Sequence, residues 1–149
     1  MTLTYRVIPR VSLGLELNPL NDYEVNPLLN AVALTETKTR PAWMFGTSSD
    51  RIGTPDGQAY YSTFSKNLQT VTGGKVPIAP YAGASYGTFD YKLRAIGGFW
   101  AGFGKGFSTT FIWDGVDLHP TIDYRYKRHV FTALWVRLEE LGVAYSIVF

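Results

Sequence analysis

Apolar side chains recur at every second position along much of this chain, and a period of two is the repeat of a β-strand, not of a helix. The first run is the longest. Tyr5, Val7, Pro9, Val11, Leu13, Leu15 and Leu17 fall on one face, and Thr4, Arg6, Ile8, Arg10, Ser12, Gly14 and Glu16 on the other. One side is apolar and the other carries three charges, which predicts a strand with different surroundings on its two faces. Tyr91–Gly104 repeats the pattern, with Tyr91, Leu93, Ala95, Phe99, Ala101 and Phe103 against Lys92, Arg94, Trp100, Gly102 and Gly104. In Leu118–Lys127, Leu118, Pro120, Ile122, Tyr124 and Tyr126 alternate with His119, Thr121, Asp123, Arg125 and Lys127.

The last twenty residues read as a hairpin turning at Glu139-Glu140. A symmetric turn there sets Val130, Thr132, Leu134, Val136 and Leu138 beside Phe149, Ile147, Tyr145, Val143 and Leu141 on one apolar face. Phe131, Ala133, Trp135 and Arg137 then face the interior. Weaker strands are expected at Leu28–Thr37, Ala42–Ser48, Gln58–Leu68, Val76–Gly87 and Phe107–Trp113, separated by Gly, Pro, Asn and Asp turn signals. The total is about ten strands in a single all-β domain over residues 1–149, or eight if Leu28–Ser48 is partly looped.

Composition removes several classes. A formal charge of +2 without a Lys/Arg block gives no argument for nucleic acid. With no cysteine there is neither a disulfide framework nor a thiolate site, which suits a chain that crosses an oxidising periplasm unfolded. No apolar run is long enough for a transmembrane helix, but barrel strands need only ~9–11 residues and alternate.

Alternation alone does not say which face points inward. The polar faces mix charges of both signs with Gly and Ala opposite large aromatics, as a narrow lumen requires. The apolar faces are broad and aromatic, and in water they would form a large exposed patch unless they were the core. Both features predict the inverted pattern of a membrane barrel. Its lumen would be lined by Arg6, Arg10, Glu16, Lys92, Arg94, Asp123, Arg125 and Arg137, and crowded by Trp100, Phe131 and Trp135. Tyr5, Trp43, Tyr91, Trp113, Tyr124, Tyr126 and Tyr145 are candidates for interfacial girdles.

The chain ends Leu141-Gly-Val143-Ala-Tyr145-Ser-Ile147-Val-Phe149. This resembles the C-terminal strand of bacterial outer-membrane β-barrel proteins, with Val143, Tyr145, Ile147 and Phe149 as the residues that the barrel-assembly machinery reads. The resemblance implies a closed antiparallel up-and-down transmembrane barrel. Its expected partners are outer-membrane lipid and the assembly machinery, with no cofactor, no metal and no nucleic acid. An even strand count would put both termini on the periplasmic side. The longer connections Asn18–Pro27, Ser49–Gly57 and Asp114–Asp117 would then lie outside, and the tighter ones at Lys38–Pro41, Lys105 and Lys127–His129 inside. Met1–Arg10 carries no export signal, so this localisation expects the signal to have been removed.

The expected role is structural, adhesive or that of a narrow, largely plugged channel, more in keeping with a non-enzyme. Some barrels of that class are proteases or lipid-modifying enzymes with Asp and His near the outer rim. His119, with Asp117 and Asp114 close in sequence, is the candidate acid/base site here. A third reading is a soluble, lipocalin-like carrier with its apolar faces inward. Asp50, Asp56 and Thr47-Ser48-Ser49-Asp50 match no EF-hand spacing and read as a plain loop. Gly97-Gly98 and Gly102-Phe103-Gly104 read as small residues beside large ones rather than a phosphate loop.

Overall fold

The structure is a computed structural model that describes residues 2–18, 24–69, 74 and 77–148. It is all-β. Eleven antiparallel strands lie side by side in chain order in one sheet. They are β1 (Thr2–Ile8), β2 (Val11–Asn18), β3 (Glu24–Leu34), β4 (Ala42–Ser49), β5 (Gln58–Ser65), β6 (Ile78–Gly87), β7 (Lys92–Gly104), β8 (Phe107–Trp113), β9 (Leu118–Tyr126), β10 (His129–Val136) and β11 (Glu140–Ile147). Among the described residues the edge strands β1 and β11 are not hydrogen-bonded to each other, so the expected closure is absent from their hydrogen bonding.

The eleventh strand comes from the run read as one strand over residues 4–17. It folds back at Pro9-Arg10 into β1 and β2, with Tyr5 opposite Leu13 and Arg6 opposite Ser12. Proline has no N–H to give a ladder and favours turns. A two-residue turn by itself would reverse the alternation, and the bulge between Arg6 and Ile8 restores it, so Tyr5 and Leu13 share a face. Arg10 is therefore an exposed turn residue, not part of a strand face. An odd count also removes the even-number argument for placing both termini on one side.

The strands fall into two compact units, Met1–Phe64 with Gly83–Ala95, and Ser65–Ala82 with Ile96–Phe149. In the first, Leu13 lies between Tyr5 and Leu29, and Leu15 between Leu3 and Pro27. This apolar face is open: Tyr5 is 74% exposed and Leu15 54%. Trp43 continues it, stacked on Phe64 at 5.9 Å and donating its indole N–H to the Ser62 hydroxyl at 2.8 Å. The opposite face carries Ser12, Glu16, Asn26 and Asn30, with Glu16 opposite Asn26 and Ser12 opposite Asn30. Asn26 is buried, and the Tyr61 hydroxyl donates to the Asn30 side chain. A Cβ on Gly46 would run into the Leu29 carbonyl oxygen and the Tyr61 ring, so this close packing needs glycine.

The second unit repeats the arrangement. Ile122 sits between Thr109 and Ala133, and Tyr124 between Phe107 and Phe131. Phe107–Tyr124 and Phe131–Tyr145 ring contacts lie at 4.7 and 5.3 Å. The other face carries the Ser108–Asp123–Thr132–Ala144 row and the Thr110–Thr121–Leu134–Gly142 row.

The terminal hairpin turns earlier than expected. Arg137 and Leu138 form the turn, and the Glu139 N–H donates to the Val136 carbonyl at 3.0 Å. Phe131 pairs with Tyr145, Ala133 with Val143 and Trp135 with Leu141. An odd shift of register exchanges the faces of a strand. Phe131 and Trp135 therefore share the apolar face of β11, while Val130 and Leu134 take the polar one. Arg137 leaves the strand altogether. Large-against-small pairing persists with new partners, Leu134 opposite Gly142 and Thr132 opposite Ala144.

Among the described residues, the buried apolar side chains are Leu28, Ala31, Ala59 and Ala101, and the largest fully buried side chain is a histidine. A soluble domain of this length ordinarily buries many large aliphatic and aromatic side chains. Here those side chains line the open faces.

Candidate functional site

His119 lies near the start of β9 and is completely buried. The preceding turn is shaped by Asp114, whose Oδ1 accepts the N–H groups of Val116 and Asp117 at 2.9 and 2.8 Å. Asp114 Oδ2 lies 3.1 Å from His119 Nε2, and His119 Nδ1 lies 3.2 Å from the backbone nitrogen of Arg137. A backbone N–H can only donate, so Nδ1 must accept and the ring proton sits on Nε2, facing the carboxylate. Burial opposes the ionisation of Asp114, but the two backbone N–H groups and the His119 ring outweigh it and its pKa is lowered. The Arg137 guanidinium turns outward to Asp117, 3.3 Å from Oδ2, with 45% of its side chain exposed.

All three sequence candidates, Asp114, Asp117 and His119, are thus brought together with Arg137. The arrangement joins the 114–117 turn to the 137–138 turn. Both ring nitrogens are engaged and no part of the ring is exposed, whereas a general acid or base must reach the proton it moves directly or through one water.

A second cluster, in the first unit, has no signature in the sequence because its members come from two loops far apart in the chain and from the start of β7. Asp50 is buried and accepts the N–H of Arg51 at 2.7 Å and of Phe89 at 2.9 Å. A Cβ on Gly87 would strike the Asp50 carboxylate, so glycine makes room for it. Arg94 is bound through both guanidinium nitrogens to Asp90, and Arg51 lies 3.7 Å from the same carboxylate. The Arg94 hydrogen bond holds the Asp90 pKa down to about 2. Two carboxylates and two guanidiniums offset one another here. Among the described residues there is no group of three or more potential metal ligands.

The charges assigned to a lumen are dispersed. Arg6, Glu16, Asp123 and Arg125 share the polar face of their strands. Lys92 opens β7 and is exposed, Arg94 is tied to Asp90, and Arg10 and Arg137 occupy turns. Of the C-terminal residues, Val143, Tyr145 and Ile147 lie on the open face of β11, Val143 at 85% exposure, and Phe149 is outside the described residues. Trp43, Trp113, Tyr124, Tyr126 and Tyr145 also lie on open faces, as does Tyr5, whereas Tyr91 is an exposed turn residue ahead of β7. Comparison with known proteins returns no matching family model, curated protein or solved structure.

Proposed function

We propose that this chain forms the wall of a β-barrel in a bacterial outer membrane, with its apolar strand faces against lipid and its polar faces lining the inside. The role that fits is structural, adhesive or that of a narrow channel. One observation carries the reading: register places Tyr5, Leu13, Leu15, Phe45, Phe107, Tyr124 and Val143 on open faces, while Ser12, Asn26, Thr121 and Asp123 occupy the more covered ones. That is the inverse of a soluble β-sandwich or carrier barrel. The alternating C-terminal strand supports the same reading, and the buried, doubly bonded His119 gives no support to an enzymatic one.

Closure belongs to the proposal. Unpaired N–H and C=O groups on a strand edge cost several kcal/mol each in hydrocarbon, so a spanning sheet has to close. Neighbouring strands alternate in direction and the count is odd, so a direct β1–β11 seam would be a parallel pair.

The test is to refold the purified chain in detergent micelles and in lipid vesicles. The proposal expects a β-rich circular dichroism spectrum, gel mobility that changes on boiling, and protection from protease when vesicle-bound. A monodisperse monomer in plain buffer without detergent would overturn it.

A further inference from the structure

We propose that the polar face of the second unit carries a binding site for a small zwitterion of the α-amino-acid type. The site is a cavity of about 600 Å³ whose lining includes Trp100, Gly102, Ser108, Asp123, Arg125 and Val130. Asp123 and Arg125 are two residues apart on β9 and so point to the same side, about 7 Å apart along the strand. Thr132 donates its hydroxyl to one carboxylate oxygen of Asp123, and the Thr121 hydroxyl lies 3.3 Å from the other. These neutral donors fix the carboxylate in place without neutralising it.

Arg125 donates Nε–H to the Lys127 carbonyl oxygen at 3.3 Å. Its two terminal nitrogens remain as the planar fork that fits a carboxylate. Among the described residues neither side chain has an ion-pair partner. An anion held by two hydroxyls and an exposed cation tethered through Nε therefore line one cavity without cancelling each other directly.

That geometry selects its ligand. A lone cation meets Arg125 and a lone anion meets Asp123, each with a like charge nearby. A molecule with an ammonium and a carboxylate on one carbon satisfies both, since two hydrogen bonds of ~2.8 Å plus its own short span bridge the gap between them. The rest of the lining sets the side chain. The Trp100 ring lies over Gly102, where a Cβ would come within 2.8 Å of it, and with Val130 it forms an apolar wall. An aromatic or aliphatic amino acid fits that wall, and its ammonium gains from the indole face.

The experiment titrates the folded protein with three probes, L-phenylalanine, phenethylamine and 3-phenylpropanoate, by calorimetry in whichever medium keeps it monomeric. The expected result is that phenylalanine binds at least roughly tenfold more tightly than either singly charged analogue. Asp123→Asn should weaken phenylalanine binding and relax discrimination against 3-phenylpropanoate. Arg125→Gln should do the same toward phenethylamine. Equal affinity for the three probes, or no phenylalanine binding at millimolar concentration, overturns the assignment. The probe series on the unaltered protein decides the matter even if a variant fails to fold. It reads out independently of the membrane proposal, because it asks only for a folded chain.

Discussion

The imidazole of His119 accepts the backbone N–H of Arg137 at 3.2 Å, tying the turn before β9 to the turn between β10 and β11. The ring is fully buried and its other nitrogen is held by Asp114. Replacing it with alanine leaves a buried N–H and a carboxylate oxygen without their partner, at about 1–3 kcal/mol for each unsatisfied group. His119→Ala should therefore lower the urea unfolding midpoint clearly. Arg137→Ala, which removes only an exposed ion pair with Asp117, should change stability by less than about 1 kcal/mol. Equal effects from the two would reject the anchoring role. Unfolding followed by tryptophan fluorescence measures both.

The two glycines facing neighbouring strands should behave differently. A Cβ at Gly46 meets backbone and an aromatic ring, and neither can withdraw without moving the ladder. Gly46→Ala is expected to cost about 1–3 kcal/mol. At Gly142 the nearest atom to an added Cβ is the Leu134 carbonyl oxygen at 3.7 Å, an ordinary contact. Gly142→Ala should be tolerated within about 0.5 kcal/mol. A thermal or denaturant midpoint for each variant ranks them, and the reverse order would contradict the packing of both strand pairs.

Asp90 and Arg94 should stay paired to unusually low pH. The folded-state pKa of Asp90 is depressed, from 3.8 to about 2. A depressed carboxylate contributes its stabilisation above the unfolded pKa and loses it as pH falls through the folded value. The pairing should thus be intact at neutral pH, begin to weaken below about pH 4, be half lost at about pH 2 and disappear only below that. Carboxyl carbon NMR of Asp90 follows it directly, and Arg94→Gln should return the titration toward the ordinary range. A normal midpoint in the unaltered protein would reject the pair.

The strand class and most strand positions were legible because period two is a local property. β4, β7, β8 and β9 begin and end within one residue of the limits read from the sequence. What failed depends on turns. Pro9-Arg10 carries no glycine, and the bulge between Arg6 and Ile8 cancels the change of phase that the turn makes, so β1 and β2 looked like one strand. The Asp50–Arg51–Asp90–Arg94 cluster joins a loop to the turn and strand start some forty residues further on, and leaves no spacing to read. Asp114, Asp117 and His119 were legible as a constellation because they are close in sequence. The second partner of the ring, the Arg137 N–H, was not, because a backbone group has no residue signature.

The terminal hairpin gives the most direct test of register. The sequence favours Glu139-Glu140 as the turn, since Arg137 and Leu138 look like strand residues. In the structure both adopt positive φ, 55° and 61°, at the centre of a turn closed by the Glu139 N–H, within a three-residue connection from Arg137 to Glu139. Hairpin turns of that kind favour Asn-Gly, because each L side chain at positive φ costs about 1–2 kcal/mol. Leu138 is 60% exposed, so its side chain contributes little packing. Leu138→Gly should therefore stabilise the protein by about 1 kcal/mol, and Leu138→Ala, which keeps a Cβ, should not. If the turn lay at Glu139-Glu140, position 138 would be within β10, and glycine there would destabilise by about 0.5–1 kcal/mol. The sign of the change decides between the two registers, and with it whether Phe131 and Trp135 share a face with Tyr145 or with Asp123.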